Sequence, residues 1–127
     1  MSRRRLKVFF DGGCRPNPGR IEAAVVLRGA VHLFDDLGHG TSRDAEWLAL
    51  ICALKLALAH EQAGIVLIGD ALDVIRQANS ALRSDDAVSG HAATLRALTA
   101  NGPPPRIRWI KREQNIAGIA LAARHPR

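Results

Sequence analysis

Three acids stand where chemistry could occur: Asp11, Glu46 and Asp70. Asp11 ends the apolar run Lys7-Val8-Phe9-Phe10 and is followed by Gly12-Gly13, while Asp70 ends a second apolar run, Ile65-Val66-Leu67-Ile68-Gly69. Buried strands rarely end on an acid without a use for it, and the glycines let the backbone turn and leave space beside the carboxylate. Ligands of open α/β sheets bind at the carboxyl edge of the strands, so acids at that edge offer carboxylate oxygens to a ligand. Glu46 is a different case. It falls in the first turn of a helix, where, taken alone, it reads first as a carboxylate complementing the helix dipole or completing a cap.

The elements that position these acids follow from the pattern. After the first strand, Gly12 to Gly19 reads as an exposed, rigid loop rich in glycine and proline. Ala23-Ala24-Val25-Val26-Leu27 and Val31-His32-Leu33-Phe34 predict an antiparallel hairpin turning through Arg28-Gly29-Ala30. Asp35 and Asp36 leave that hairpin as a solvated strand end rather than a metal pair. Thr41-Ser42 supplies hydroxyl caps and Asp44 suits the positive end of a dipole, so a helix is expected from Ala45 to His60, apolar almost all round and therefore buried. Ala63-Gly64 ends that segment, Ile65 to Gly69 forms the next strand, and a helix follows from Leu72 to Ala81. A strand reached through a helical crossover is normally parallel to its partner, which brings Asp11 and Asp70 to one edge. Glu46 joins them only if its helix packs across the sheet. After Ser84-Asp85-Asp86 come an amphipathic helix from His91 to Leu98, a stop at Asn101-Gly102-Pro103-Pro104-Pro105, a basic strand from Arg106 to Arg112 and an alanine-rich helix from Asn115 to Ala123.

Length and composition bound what this can be. A chain of 127 residues, 47% apolar, suits one domain over residues 1–127 with a single core. The net charge of +6 and a pI near 10.6 favour a polyanionic partner, nucleic acid first, although charge alone fits mere solubility as well. Cys14 and Cys52 have neither disulfide-framework nor zinc-site spacing and read as reduced thiols of a cytoplasmic protein. No apolar run reaches the ~20 residues of a membrane span, and Ser2-Arg3-Arg4-Arg5 reads as a short frayed tail rather than an export signal. A monomer with no membrane partner is expected.

With Asp11, Glu46 and Asp70 in that order, the chain resembles type 1 ribonuclease H. Asp11-Gly12-Gly13-Cys14-Arg15-Pro16-Asn17-Pro18-Gly19 is similar to the family's D-G-S-x-x-x-N-P-G loop, and Thr41-Ser42-Arg43-Asp44-Ala45-Glu46 to its T-x-N-x-A-E helix start. Ile68-Gly69-Asp70 matches the strand ending in Asp, and Arg112-Glu113-Gln114-Asn115 the R-E-Q-N before the final helix. The resemblance implies an α/β ribonuclease H-like fold, with a mixed five-stranded sheet flanked by helices. It also implies endonucleolytic cleavage of the RNA strand of RNA–DNA hybrids, leaving 5′-phosphomonoesters. Two Mg²⁺ ions, with Mn²⁺ as a substitute, would assemble with substrate on Asp11, Glu46 and Asp70, Asp11 bridging both. Three converging carboxylates repel one another and raise their own pKa values unless a cation joins them, and hard oxygen donors suit Mg²⁺. Gly13, Cys14, Asn17, Thr41 and Asn115 would contact substrate: Asn17 in the minor groove, Thr41 at a phosphate, and the loop from Gly13 to Asn17 at the 2′-hydroxyls that distinguish RNA from DNA.

The chain departs from that family in its last helix, where Asn115-Ile116-Ala117-Gly118-Ile119-Ala120-Leu121-Ala122 puts Gly118 where a fourth catalytic aspartate belongs. Glu113, Asn115 and His125 are the nearby candidates to replace it, spacing selects none of them, and structural roles are the better expectation for each. The histidine loop and the basic handle of many members are absent too, leaving Arg15, Arg43, Arg108 and Lys111 to grip substrate. Two expectations follow: an active ribonuclease H, weakened or not by the missing acid, or a non-catalytic hybrid-binding module that kept the fold. Retention of three acids favours the enzyme, because pure binding gains nothing from negative charge facing phosphates.

Overall fold

The computed structural model describes residues 5–60 and 64–125, so the Ser2-Arg3-Arg4 start and Ala63 lie outside the described residues. Strand β1 (Leu6–Cys14) pairs antiparallel with β2 (Gly19–Leu27), which pairs antiparallel with β3 (Ala30–Phe34) and, at its start, with the two-residue β4 (His39–Gly40). Helix α1 (Ser42–His60) crosses to β5 (Ile65–Gly69), parallel to β1; α2 (Leu72–Arg83) and α3 (Gly90–Leu98) lead to β6 (Arg106–Trp109), parallel to β5. A single 3₁₀ turn, Arg112–Gln114, precedes α4 (Ile116–Ala122). The main path of the sheet is β3-β2-β1-β5-β6, the mixed five-stranded arrangement expected, with β4 as an added stub.

Alternation along β1 sorts the side chains between two layers. Leu6, Val8 and Phe10 face α1, α2 and α3, where Leu50, Leu54, Val74, Ile75 and Leu95 close the main core. Phe9 faces the other side, where α4 lays Ala117 and Leu121 on Ala24 and Val26. The hairpin turns at Arg28 (φ 51°) and Gly29 (φ 79°), two successive left-handed residues as a tight strand-to-strand reversal requires.

Several boundaries move for physical reasons. The loop expected from Gly12 is shorter, because Gly12, Gly13 and Cys14 continue β1, paired with Ala23, Glu22 and Ile21. Helix α1 begins three residues earlier than its apolar run, at Ser42. A capping box sets that start: the Thr41 N–H donates to Asp44 Oδ2 (3.0 Å) and the Asp44 N–H to Thr41 Oγ1 (3.1 Å). The basic strand β6 stops at Trp109, and Arg112 belongs to the turn that follows. His91 is half-buried, stacked on Trp47 with centroids 6.0 Å apart and bonded through Nε2 to Asp44 Oδ1 (3.0 Å).

Candidate active site

The parallel register of β1 and β5 brings two acids together. Phe9 pairs with Ile68, and two residues further on, past the end of the pairing, stand Asp11 and Asp70. Glu46 comes from the opposite layer, and Gly12 makes its approach possible. A Cβ at Gly12 would lie 2.1 Å from the Ala45 carbonyl oxygen, so only glycine lets the first turn of α1 rest on β1. The Gly12 N–H then donates to Glu46 Oε1 at 2.9 Å, turning the carboxylate around the strand end. The condition set on Glu46, that its helix pack across the sheet, is met. Asp11, Glu46 and Asp70 each present an oxygen within 4.8 Å of the others, a spacing suited to a shared divalent cation.

The electrostatics match that crowding. Burial, then the charge of Asp70, pushes Asp11 up from 3.8 to about 7, against the opposing pull of Arg112 and the Gly12 N–H. Burial, then Asp11, pushes Glu46 up from 4.5 to about 8, with Asp70 adding to the rise and the Gly12 N–H and Arg112 opposing it. A metal-free cluster therefore holds protons near neutral pH that a divalent ion would displace. The donor set, three carboxylates lining a cleft of about 360 Å³, fits a hard cation such as Mg²⁺.

The surrounding residues hold the acids in place. Asn115 is fully buried; its Nδ2 donates to the Phe10 carbonyl (3.0 Å) and to Asp70 Oδ2 (2.9 Å), while its Oδ1 caps α4 by accepting from the Ala117 N–H (3.1 Å). Asn115, for which the resemblance offered either a substrate contact or a structural role, thus spends its side chain on positioning Asp70. Cys14 is buried as well. Its thiol turns inward, 3.1 Å from the carbonyl oxygens of both Pro16 and Gly40, because the extended β1 points residue 14 into the α1 layer. Trp109 Nε1 donates to the Asp70 carbonyl (3.2 Å), a support that sequence reading missed.

Gly13 lines the cleft itself. Asn17 is exposed beside it, its Oδ1 accepting from the Ser42 N–H (3.0 Å), which leaves the amide NH₂ facing outward. Thr41 is exposed at the start of α1, its hydroxyl shared with Asp44, whose carboxyl is held below the usual range by the Thr41 N–H first and by His91 next. Among the basic residues named for grip, Arg15 lines the cleft, Arg43 is paired with Asp73 (2.7 Å), and Arg108 lies in a separate groove with Pro104 and Pro105. Arg112 also lines the cleft, although the sequence had offered it only as part of a motif. Gly118, on α4, stands beside Asp11 and Asp70. A Cβ there would be 3.4 Å from Asp11 Oδ2 and 3.8 Å from Asp70 Oδ2.

A mixed sheet in this order, with one helix on one face and three acids at the carboxyl edge of β1 and β5, defines a protein with the ribonuclease H fold. RNase H1 from the halophilic archaeon Halobacterium salinarum NRC-1 superposes with a TM-score of 0.74 at 29% identity, covering 93% of this chain and 94% of that one. LC11-RNase H1 in complex with RNA/DNA hybrid gives 0.74 at 22% identity over 92% and 93%, and an N-terminal RNase H domain from Mycobacterium tuberculosis gives 0.70 at 21% over 93% and 95%. A comparison with curated proteins finds no match. The model of the Reverse transcriptase-like family matches residues 9–125, and the chain belongs to that family, on the branch that resembles type 1 ribonuclease H. Among the described residues no helix is long and apolar enough to cross a membrane.

Proposed function

We propose that the protein is an endoribonuclease that hydrolyses the RNA strand of RNA–DNA hybrids, leaving 5′-phosphomonoesters. The convergence of Asp11, Glu46 and Asp70 at one strand edge carries this reading. These three acids would hold Mg²⁺, or Mn²⁺ in its place. When bound there with substrate, a pair of such ions would supply activation of water and stabilisation of the leaving oxygen of an in-line displacement.

The protein's own groups prepare that event. Asn115 keeps Asp70 in one rotamer, and the Gly12 N–H does the same for Glu46, so the donor oxygens need little rearrangement on loading. Arg112 and Arg15 place positive charge on the cleft wall, where a phosphodiester oxygen would meet it. Gly13 leaves backbone accessible for 2′-hydroxyl contacts, and the outward NH₂ of Asn17 suits the acceptor-rich minor groove. The bare helix face at Gly118 favours a second reading, a hybrid-binding module without turnover.

A labelled RNA–DNA hybrid incubated with the purified protein in Mg²⁺, Mn²⁺ or chelator separates the two. Cleavage confined to the metal-containing reactions, and lost in Asp70→Asn at unchanged folding, supports the enzyme. Tight hybrid binding with no cleavage in either metal supports the module, and equal cleavage by Asp70→Asn refutes the assigned site.

A further inference from the structure

Gly118 leaves the cleft without an acid from α4, and yet a fourth carboxylate borders it. Glu22, on β2, lines the same cleft as Asp11, Glu46 and Asp70. Glu22 pairs in register with Gly13, and Asp11 pairs with Ala24, so Glu22 and Asp11 are diagonal neighbours on one face of the sheet. Such positions lie about 7–8 Å apart along the backbone, a gap that a long side chain spans. Residue 13, between them on that face, has no side chain: a Cβ there would sit 3.4 Å from Leu121 Cδ2 and 3.9 Å from Glu22 Cγ.

Both oxygens of Glu22 are engaged by side chains that follow α4. Oε2 pairs with His125 Nε2 at 2.5 Å and Oε1 lies 3.4 Å from Arg124 Nη1, whose other nitrogen reaches Asp35 Oδ2 at 3.4 Å. Arg15 lines both the acidic cleft and the adjoining groove that contains Arg20, Arg124 and His125. A phosphodiester chain leaving the cleft along that groove would compete with Glu22 for Arg124 and His125. Its arrival supplies a reason for Glu22 to let go, and a divalent ion loading with it would be a new cation for Glu22 to meet.

We propose that Glu22 is the fourth carboxylate of the metal centre, exchanging His125 and Arg124 for the second divalent ion when a hybrid binds. The inference rests on the nuclease reading above. Three carboxylates carry −3 against +4 for two ions, and Glu22 removes that imbalance without any acid on α4. Its side chain swings from β2, next to the strand that carries Asp11, and therefore replaces Gly118 in function without sharing its place in the chain.

The test is Mn²⁺ binding, followed by electron paramagnetic resonance, on the full chain with a hybrid whose RNA strand is made non-hydrolysable. Wild type should take two ions per chain. Glu22→Gln should keep the first ion and bind the hybrid at least as tightly as wild type, but bind the second ion at least about tenfold more weakly. Adding Gly118→Asp to Glu22→Gln should restore the second ion. His125→Ala breaks the same ion pair while leaving the carboxylate, so it should bind the second ion as tightly as wild type or tighter. Unchanged second-ion binding in Glu22→Gln overturns the proposal, and so does an equal loss in His125→Ala, which would make the pair a mere strut. A wild type that takes a single ion with hybrid bound overturns it and spares the nuclease reading; one that takes none overturns both.

Discussion

Replacing Asp11 by asparagine should stabilise the metal-free protein at pH 8 and leave it almost unchanged at pH 4. The fold pushes the Asp11 carboxyl from 3.8 up to about 7, through burial first and Asp70 second. The unfolded chain therefore releases this proton from about pH 4 upward, while the folded chain keeps it until about pH 7. Because the native state then binds more protons than the unfolded one, stability falls as pH rises through that window and stays low above it. At 1.36 kcal/mol per unit the whole gap amounts to about 4 kcal/mol, and screening by water in the open cleft brings the expected gain to about 2–4 kcal/mol. Asparagine keeps the shape and removes the charge. For a chain of this size, a gain of that order is roughly 10 °C in melting temperature. Thermal melts of wild type and Asp11→Asn in chelator at pH 4 and pH 8 measure it directly. Saturating Mg²⁺ should then raise the melting temperature of wild type at pH 8 far more than that of the variant, closing most of the gap. A gain of equal size at both pH values, or none at pH 8, would refute the account of Asp11 as an acid the fold strains to ionise.

Other perturbations probe the supports and the surface. Gly12→Ala would drive a Cβ into the Ala45 carbonyl, and it should cost about 3 kcal/mol in chemical denaturation and displace Glu46 enough to abolish cleavage. Asn115→Ala removes a cap and two buried donors at once, and should lower stability by about 3 kcal/mol in the same assay. Hybrid affinity should fall with salt at a log–log slope of about −0.9 for each phosphate neutralised, and a flat titration would mean that the positive charge is not a binding surface.

Asp11 and Asp70 could be read from the sequence because each ends an apolar strand, and a single crossover rule makes those strands parallel. Glu46 could not be placed that way. Its reach depends on a contact of α1 with β1 that exists only because residue 12 lacks a side chain, and a glycine after an acid reads equally as a turn. The same ambiguity misplaced Cys14, since a glycine-rich stretch that looks like loop in fact continues the strand and turns the thiol inward. Asn115 was visible as a motif but not as a buried strut, because its partners, Phe10 and Asp70, are distant in sequence. Glu22 carried no local signal at all: a charged residue near the start of a strand is ordinary, and only its register against Gly13 brings it to the cleft. The stub β4 is too short, at two residues, to show a period.

The bond from Asn115 to the Phe10 carbonyl closes a span of 105 residues. Translation delivers those ends in order, so the first strand is made 105 residues before the amide that braces Asp70. A nascent chain long enough to contain Asp11, Glu46 and Asp70 has the acids without the brace, and contacts of such separation form late because the intervening loop must first be closed. The acidic cleft is thus complete only once residue 115 has been made, and a chain cut short before it carries the acids without the amide that orders them.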